Sequence, residues 1–142
     1  MRKRSCKEHP PIRDYGGEAF VFNIDHAANM NEAFRRTLWT GRDLQLTLMS
    51  IPPCGEIGVE MHSDVDQFIR VVSGRAKVYF GNCQKSLEER ACVDSRDAII
   101  IPAGTWHNVV NASSHPLKLY SVYAPPQHPF GTVHQTREDA DH

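Results

Sequence analysis

The sequence predicts an all-β domain in which many short strands close into a barrel or a sandwich, with one or two short helices. Short apolar or alternating segments recur from residue 44 to residue 123, and Gly, Pro, Asp and Ser separate them. Only one segment of the 142 residues has the composition of a helix. A chain of this length forms one domain that is large enough to bury a core.

The predicted elements follow one another at close spacing. Residues 18–23 are typical of a short strand, and residues 25–34 are typical of a short helix with Asp25 as its N-cap. Over residues 44–49 leucine alternates with other side chains, which is the period of a strand. The remaining predicted strands cover residues 58–62, 67–72, 75–80, 97–101, 107–111 and 117–123.

The predicted domain spans residues 1–142, with irregular segments at both ends. Residues 1–15 are polar and contain proline, so we expect a loose N-terminal lead-in. Residues 125–142 begin with a Pro-rich stretch that cannot continue a strand, and we expect an ordered loop or tail there. His128 and His134 lie in this tail, within reach of the mouth of the barrel.

Charge and composition exclude several classes of function. A net charge of -1 with a pI near 6.7 gives no electrostatic basis for binding nucleic acid or an anionic membrane. No apolar run approaches the ~20 residues of a membrane span, and no apolar segment follows the basic start as in a signal peptide. The four cysteines form no CxxC pair, which favours free thiols and a cytoplasmic location.

A carboxylate and an imidazole share one face of the predicted strand at residues 58–62. Glu60 and His62 are two residues apart and therefore point to the same side of a strand. Such side chains inside a barrel are costly unless they are paired or bind a metal ion. Gln67 begins the next predicted strand after a polar, turn-like stretch, so its amide oxygen can be aimed at the same point.

A second polar group follows the buried strand at residues 99–101. The next three residues, 102–104, have Pro and Gly where a type I turn favours them. His107 comes directly after this turn, at the start of the following strand, and Asn111 lies four residues further on.

These two stretches together resemble the cupin superfamily, and the whole chain resembles its small, single-domain bacterial members. Glu60, His62, Gln67 and Gly74 are similar to the first cupin motif, and the segment PAGTWHNVVN from Pro102 is similar to the second. In that family two histidines, a glutamate and a later histidine bind one metal ion inside a double-stranded β-helix. The resemblance implies the metal ligands Glu60, His62, Gln67 and His107.

The sequence departs from the family pattern at two of these positions. Glu60 stands where the family has its first histidine, and Gln67 stands where it has glutamate. The set still carries one negative charge, and its two nitrogen and two oxygen atoms suit Fe, Mn, Ni, Co or Zn. Two alternatives remain at this point: a polar barrel lining that holds no metal, and a Gln67 that hydrogen-bonds a ligand instead of the ion.

The predicted function is that of a metalloenzyme acting on a small polar molecule, with oxygenase, isomerase and decarboxylase chemistry all open. The alternative is a non-catalytic cupin that binds a small ligand as a sensor or carrier. A spare acid such as Glu56 or Asp66 beside the ion would favour proton transfer. We also expect a homodimer, which the resemblance and the predicted strand at residues 18–23 both favour, and no nucleic-acid or membrane partner.

Overall fold

The computed structural model describes residues 8–140 of the chain and has two sheets and two short helices. The predicted all-β class is confirmed. In chain order the elements are α1 (Ile24–Met30), β1 (Arg35–Thr40), β2 (Gln45–Ile51), β3 (Asp66–Ser73), β4 (Ala76–Gly81), β5 (Glu88–Val93), β6 (Ala98–Ile101), β7 (Trp106–Asn111), β8 (Leu117–Ala124), β9 (Val133–His134) and α2 (Arg137–Ala140).

The strands form two antiparallel sheets that enclose a common interior. The larger sheet has the order β6-β3-β8-β2-β1-β9, and the smaller sheet has the order β5-β4-β7. Strand β8 lies between β2 and β3 and pairs with each of them over seven positions. The apolar part of the interior is filled from both sheets, for instance by Met49, Ile69 and Val109, none of which is exposed.

Strand β2 shows how the two faces of the larger sheet differ. Leu46 and Leu48 pack on the outside of the barrel against α1 and the segment that precedes it. Because side chains alternate along a strand, Gln45, Thr47 and Met49 face the interior. All three are buried, and two of them are polar. One part of the interior is therefore apolar and another is lined by polar groups.

Three local predictions are wrong or only partly right. Residues 18–23 form no strand. Phe20 and Phe22 stack on each other and pack against an outer apolar cluster that contains Leu46 and Leu48, instead of pairing with another strand. The helix is shorter than predicted, and its N-cap is Asn23, whose side chain accepts a hydrogen bond from the His26 N–H at 2.9 Å. The predicted strand at residues 58–62 is reduced to a single bridge at Glu60.

Strands β1, β5 and β9 were not predicted. Strand β1 reads Arg-Arg-Thr-Leu-Trp-Thr and buries its first arginine, so its inward face carries no apolar alternation. Strand β5 is an edge strand in which five of six residues are exposed. Strand β9 has two residues and pairs with β1. In each of these strands backbone pairing, and not side-chain pattern, defines the element.

Both ends of the described chain are tied to the barrel. Asp14 accepts hydrogen bonds from the Thr40 hydroxyl at 2.6 Å and from the Gly131 N–H at 3.0 Å, and so joins the N-terminal and C-terminal segments.

Three exposed cysteines, Cys54, Cys83 and Cys92, are free, whereas Cys6 lies outside the described residues. Within residues 8–140, neither helix has the length and apolar character needed to cross a membrane.

Candidate metal centre

Two of the predicted site residues face each other across a backbone bridge. The Glu60 N–H donates to the His107 carbonyl at 3.0 Å, and the His107 N–H donates to the Glu60 carbonyl at 2.9 Å. Residues that are directly opposite in an antiparallel pair present their side chains to the same face. The single bridge is therefore sufficient to bring the carboxylate and the imidazole together.

The turn that precedes β7 positions His62, a third residue of the predicted site. Gly104 has a φ of 84°, a left-handed conformation that glycine adopts without strain. From this position its N–H donates to the His62 carbonyl at 2.8 Å. The carboxylate of Asp66 accepts from the Ala103 N–H at 2.8 Å on the same turn. The two motif-bearing segments are thus held together at the level of the backbone.

Glu60, His62 and His107 form a cluster whose candidate ligand atoms all lie within 4.8 Å of one another. Glu60 Oε1 is 3.3 Å from His107 Nε2 and 3.4 Å from His62 Nε2. The side chain of His107 is fully buried and that of His62 is 10% exposed, whereas the Glu60 side chain is 26% exposed and opens the cluster to solvent.

The other ring nitrogen of His107 determines what Nε2 offers to the site. His107 Nδ1 lies 2.9 Å from the Thr105 carbonyl oxygen, which can only accept a hydrogen bond, so Nδ1 carries a proton. In the neutral ring Nε2 then directs a lone pair at a carboxylate oxygen 3.3 Å away. The lone pair of His107 Nε2 and the electrons of the Glu60 carboxylate repel each other at this distance. A cation between them, either a proton or a metal ion, removes this repulsion.

Gln67 lies at the start of β3 and is 3% exposed. It is directly opposite Tyr123 of β8, so both side chains face the interior. Its amide nitrogen donates to the Ser121 hydroxyl at 3.3 Å, whereas its Oε1 has no hydrogen-bond partner among the described residues. A buried carbonyl oxygen without a partner is rare in proteins, and it fits a ligand or an ion at this point.

Glu60 carries a negative charge at neutral pH. Burial raises the pKa of Glu60, but its contacts with His107 and His62 and the charge of Arg35 outweigh that effect. The pKa of this carboxyl group therefore lies well below its usual range, and the group is ionised at any physiological pH. An ionised carboxylate is the form that binds a metal cation.

A row of aromatic rings leads from the cluster to the C-terminal segment. The His62 ring is 5.8 Å from that of Tyr123, the Tyr123 ring is 5.2 Å from that of His128, and the His128 ring is 6.4 Å from that of His134. Both tail histidines therefore belong to the surroundings of the site. Burial raises the pKa of Tyr123 to about 12, so its hydroxyl stays protonated.

The C-terminal segment is fastened to the barrel by Gln45, which is fully buried on β2. The Gln45 Oε1 accepts hydrogen bonds from the N–H groups of Gln127 at 3.0 Å and His128 at 2.9 Å. Its Nε2 donates to the His128 carbonyl at 2.7 Å and to the Thr40 hydroxyl at 3.0 Å. One amide thus satisfies three backbone groups of the tail and holds the His128 ring in place.

His128 predicts a loss of stability in acid. Burial and the charge of Arg35 lower the pKa of His128 to about 3, whereas in the unfolded chain it is about 6.5. As the pH falls from about 6.5 towards 3, the unfolded state takes up this proton and the folded state does not, so the wild type loses stability over that range. His128→Phe keeps a ring against Tyr123 and removes the proton site.

The measurement is urea unfolding of wild type and His128→Phe between pH 7.5 and pH 4. We expect the free energy of unfolding of the wild type to fall more steeply than that of the variant. Parallel curves over this range would show that His128 is not held neutral by the fold.

Some residues of the site were not found from the sequence. Arg35 and Gln45 were missed because both are polar residues on the inward face of a strand, where apolar residues are expected. Glu56 and Asp66, which were considered as spare acids, lie elsewhere: Glu56 is 3.8 Å from Arg137 at the surface, and Asp66 is bonded to the turn at Ala103. Polar residues at alternate positions, such as Gln45 with Thr47, were the signal that could have revealed this lining.

Comparison with known proteins extends these observations to a family. The family model described as "Cupin domain" matches residues 47–123. The protein YrkC of Bacillus subtilis (strain 168) is 51% identical over 129 residues, which cover 91% of this chain and 69% of YrkC. The crystal structure of BH2720 from Bacillus halodurans superposes with a TM-score of 0.89 at 53% identity, and the match covers 92% of this chain and 98% of that one.

A more distant structure shares the architecture. A conserved protein with a double-stranded β-helix domain from Klebsiella pneumoniae superposes with a TM-score of 0.64 at 20% identity, covering 96% of this chain and all of the other. At that identity the likeness shows the fold alone, and it confirms the double-stranded β-helix predicted from the two motifs.

Proposed function

The chain belongs to the cupin domain family, and we propose that it binds one divalent transition metal ion through Glu60, His62, Gln67 and His107. We propose further that it uses the ion to act on a small polar molecule. The observation that carries this proposal is the meeting of Glu60 Oε1 and His107 Nε2 at 3.3 Å, with the His62 ring 3.4 Å from the same oxygen. Such a set of donors is stabilised by a cation.

The donor atoms fit a transition metal ion. His62 Nε2 and Gln67 Oε1 are both buried, and neither makes a hydrogen bond within the described part of the chain. Two imidazoles and a carboxylate are ligands that Fe, Mn, Ni, Co and Zn accept, and the amide oxygen adds a fourth donor without adding charge. When bound, such an ion supplies Lewis acidity and open positions for a ligand.

The remaining groups of the chain position the ligand and limit the chemistry. Tyr123 can donate one hydrogen bond from a protonated hydroxyl, and a neutral His128 can accept or donate one. Among residues 8–140, no carboxylate other than Glu60 belongs to the cluster. Oxygen chemistry or polarisation of a bound ligand therefore fits better than proton transfer by a free acid.

The same observation supports a second candidate function. A site that has metal ligands but no spare acid is also suited to bind a small molecule without converting it, as a sensor or carrier would. The two candidates separate in a substrate screen of the metal-loaded protein, because only the enzyme consumes a compound that it binds.

Removal of the metal should destabilise the fold, because the proposed ligands come from separate segments of the chain. An ion at 100 times its dissociation constant adds about 2.7 kcal/mol to the free energy of unfolding, and for a domain of this size that raises Tm by roughly 10 °C. The test is elemental analysis of the purified protein, followed by calorimetry before and after chelation. Equal Tm values after confirmed removal of the metal would contradict the proposal.

We propose a homodimer in a cytoplasmic location. The free Cys54, Cys83 and Cys92 support the location, since cytosolic thiols stay reduced. The pairing of residues 18–23 that had been predicted for the dimer is not available, because these residues form no strand. The proposal of a dimer therefore rests on the resemblance to the cupin family. Light scattering at micromolar concentration should give twice the chain mass of 16.1 kDa, and the mass of one chain would contradict it.

A further inference from the structure

A buried arginine without a close ion pair lies opposite His134, at the end of the row of rings that begins at the candidate metal centre. Arg35 begins β1, is 4% exposed and is directly opposite Met49 of β2 and His134 of β9. Its Nε makes no hydrogen bond, and among residues 8–140 it takes part in no ion pair with a carboxylate. The centroid of the Phe34 ring is 5.4 Å from its guanidinium carbon.

The charge of Arg35 acts on the titratable groups of the site, but no described carboxylate forms an ion pair with it. It is directly opposite His134 on β9, and its charge lowers the pKa of Glu60, His128 and His134. Glu60 Oε1 is already shared between two histidines, and the neutral His128 carries no charge. A buried positive charge without a partner is strongly destabilising, so a fold that keeps one provides for an anion that comes from elsewhere.

Two hydroxyl groups lie on the same interior face as Arg35. Thr37 follows it by two positions on β1, and Thr47 is directly opposite Thr37 on β2. The Oγ1 atoms of both threonines are buried. That of Thr37 lies towards the Asp14 carboxylate and that of Thr47 towards the Tyr123 hydroxyl, and each hydroxyl lowers the pKa of that neighbour. A guanidinium with hydroxyl groups on the same wall is a set of donors for the oxygens of an anion.

The proposed metal ion increases the need for an anion beside Arg35, and at this step the inference rests on the proposed function. The two positive charges of the ion and the one of Arg35 would face the single negative charge of Glu60. A ligand that is itself an anion restores the balance, and a neutral sugar or alcohol does not.

We propose that Arg35 binds the carboxylate group of a small organic anion, and that the substrate or ligand of this centre is therefore a carboxylate-bearing molecule. The planar guanidinium matches the two oxygens of a carboxylate in a bidentate pair. Arg35 acts as a binding residue that orients this group beside the ion, with Thr37 and Thr47 as further donors.

Acetate is the probe, and acetamide is its uncharged counterpart of similar size. Isothermal titration calorimetry on the metal-free and the Mn²⁺-loaded protein should show binding of acetate and not of acetamide. Arg35→Gln should weaken acetate binding by about 10- to 100-fold, which is the worth of a hydrogen bond to a charged group. Arg36→Gln is the matched control, because Arg36 points to the other face of β1 and contacts the Ile12 carbonyl at 3.4 Å.

A second measurement does not depend on the folding of a variant. In ¹⁵N-labelled wild type the Nε–H resonance of Arg35 should shift during an acetate titration, and that of Arg36 should stay in place. Equal acetate affinity in wild type and Arg35→Gln, or an Arg35 resonance that does not move, would overturn the inference. Tighter, Arg35-dependent binding of inorganic phosphate would also overturn it, because the site would then be a phosphate site.

The two proposals fail in different ways. A protein that takes up no metal but binds acetate through Arg35 refutes the metal centre and supports the anion site. A protein that retains its metal and binds acetate independently of Arg35 refutes the anion site and leaves the metal centre standing.

Discussion

Glu60→Gln protein should purify nearly free of metal, whereas Gln67→Ala protein should keep most of it. Glu60 supplies the only negative charge of the proposed ligand set, and its replacement leaves two imidazoles and two amides against a divalent ion. Loss of a group that merely supports a ligand weakens metal affinity 10- to 100-fold, so loss of the charged ligand itself should exceed about 100-fold. Gln67→Ala removes one neutral oxygen that a water molecule can replace.

Gln67→Glu is the complementary change and should bind the metal more tightly than wild type. It adds a second carboxylate at the position where the family usually has one. It should also reduce the Lewis acidity of the ion, since more ligand charge offsets that of the metal. Metal content and affinity across the three variants are the measurement. Full occupancy in Glu60→Gln would show that this carboxylate is not a ligand, and the proposed site would be wrong.

Gln45→Leu should destabilise the protein by about 3 kcal/mol or more. The leucine has a similar volume but leaves two N–H groups and one carbonyl of the tail without their partner, and each unpaired buried group costs about 1–3 kcal/mol. Partial exposure of the tail lets water replace some of these bonds, which keeps the expected value at the lower end. The measurement is the free energy of unfolding in urea.

Gln127→Ala is the matched control for this variant. Gln127 is exposed and uses only its backbone N–H in the contact with Gln45, so its side chain should be dispensable. A free energy of unfolding for Gln45→Leu that is within about 0.5 kcal/mol of wild type would mean that the tail is not held by this amide.

The motif-bearing half of the chain could be predicted from its pattern, because chemistry and turn geometry coincide there. Pro102 and Gly104 define a turn, and the turn places His107 beside Glu60. The strands between residues 67 and 80 have apolar side chains at alternate positions that match one buried face. In such segments local sequence and tertiary structure favour the same conformation.

The rest could not be predicted because tertiary contacts decide it. Glu60 lies in an isolated bridge and not in a strand, because it is the one residue of 58–62 whose backbone pairs with β7. Arg35 begins a strand whose sequence resembles a polar surface segment, and only the closure of the barrel turns that residue inward. Phe20 and Phe22 have strand propensity, yet packing on the outer apolar cluster overrides it.

The position of Arg35 and of the tail histidines relative to the family match has a consequence for how such proteins can diverge. All four proposed metal ligands lie within residues 47–123, the part that the family model covers. Arg35, His128 and His134 lie outside it, on the segments that precede and follow the matched residues in the chain. If both proposals hold, selection on those flanks changes which molecule is bound, and the proposed ion site is unaffected. Exchange of the two flanking segments between relatives should transfer ligand preference without transferring metal preference.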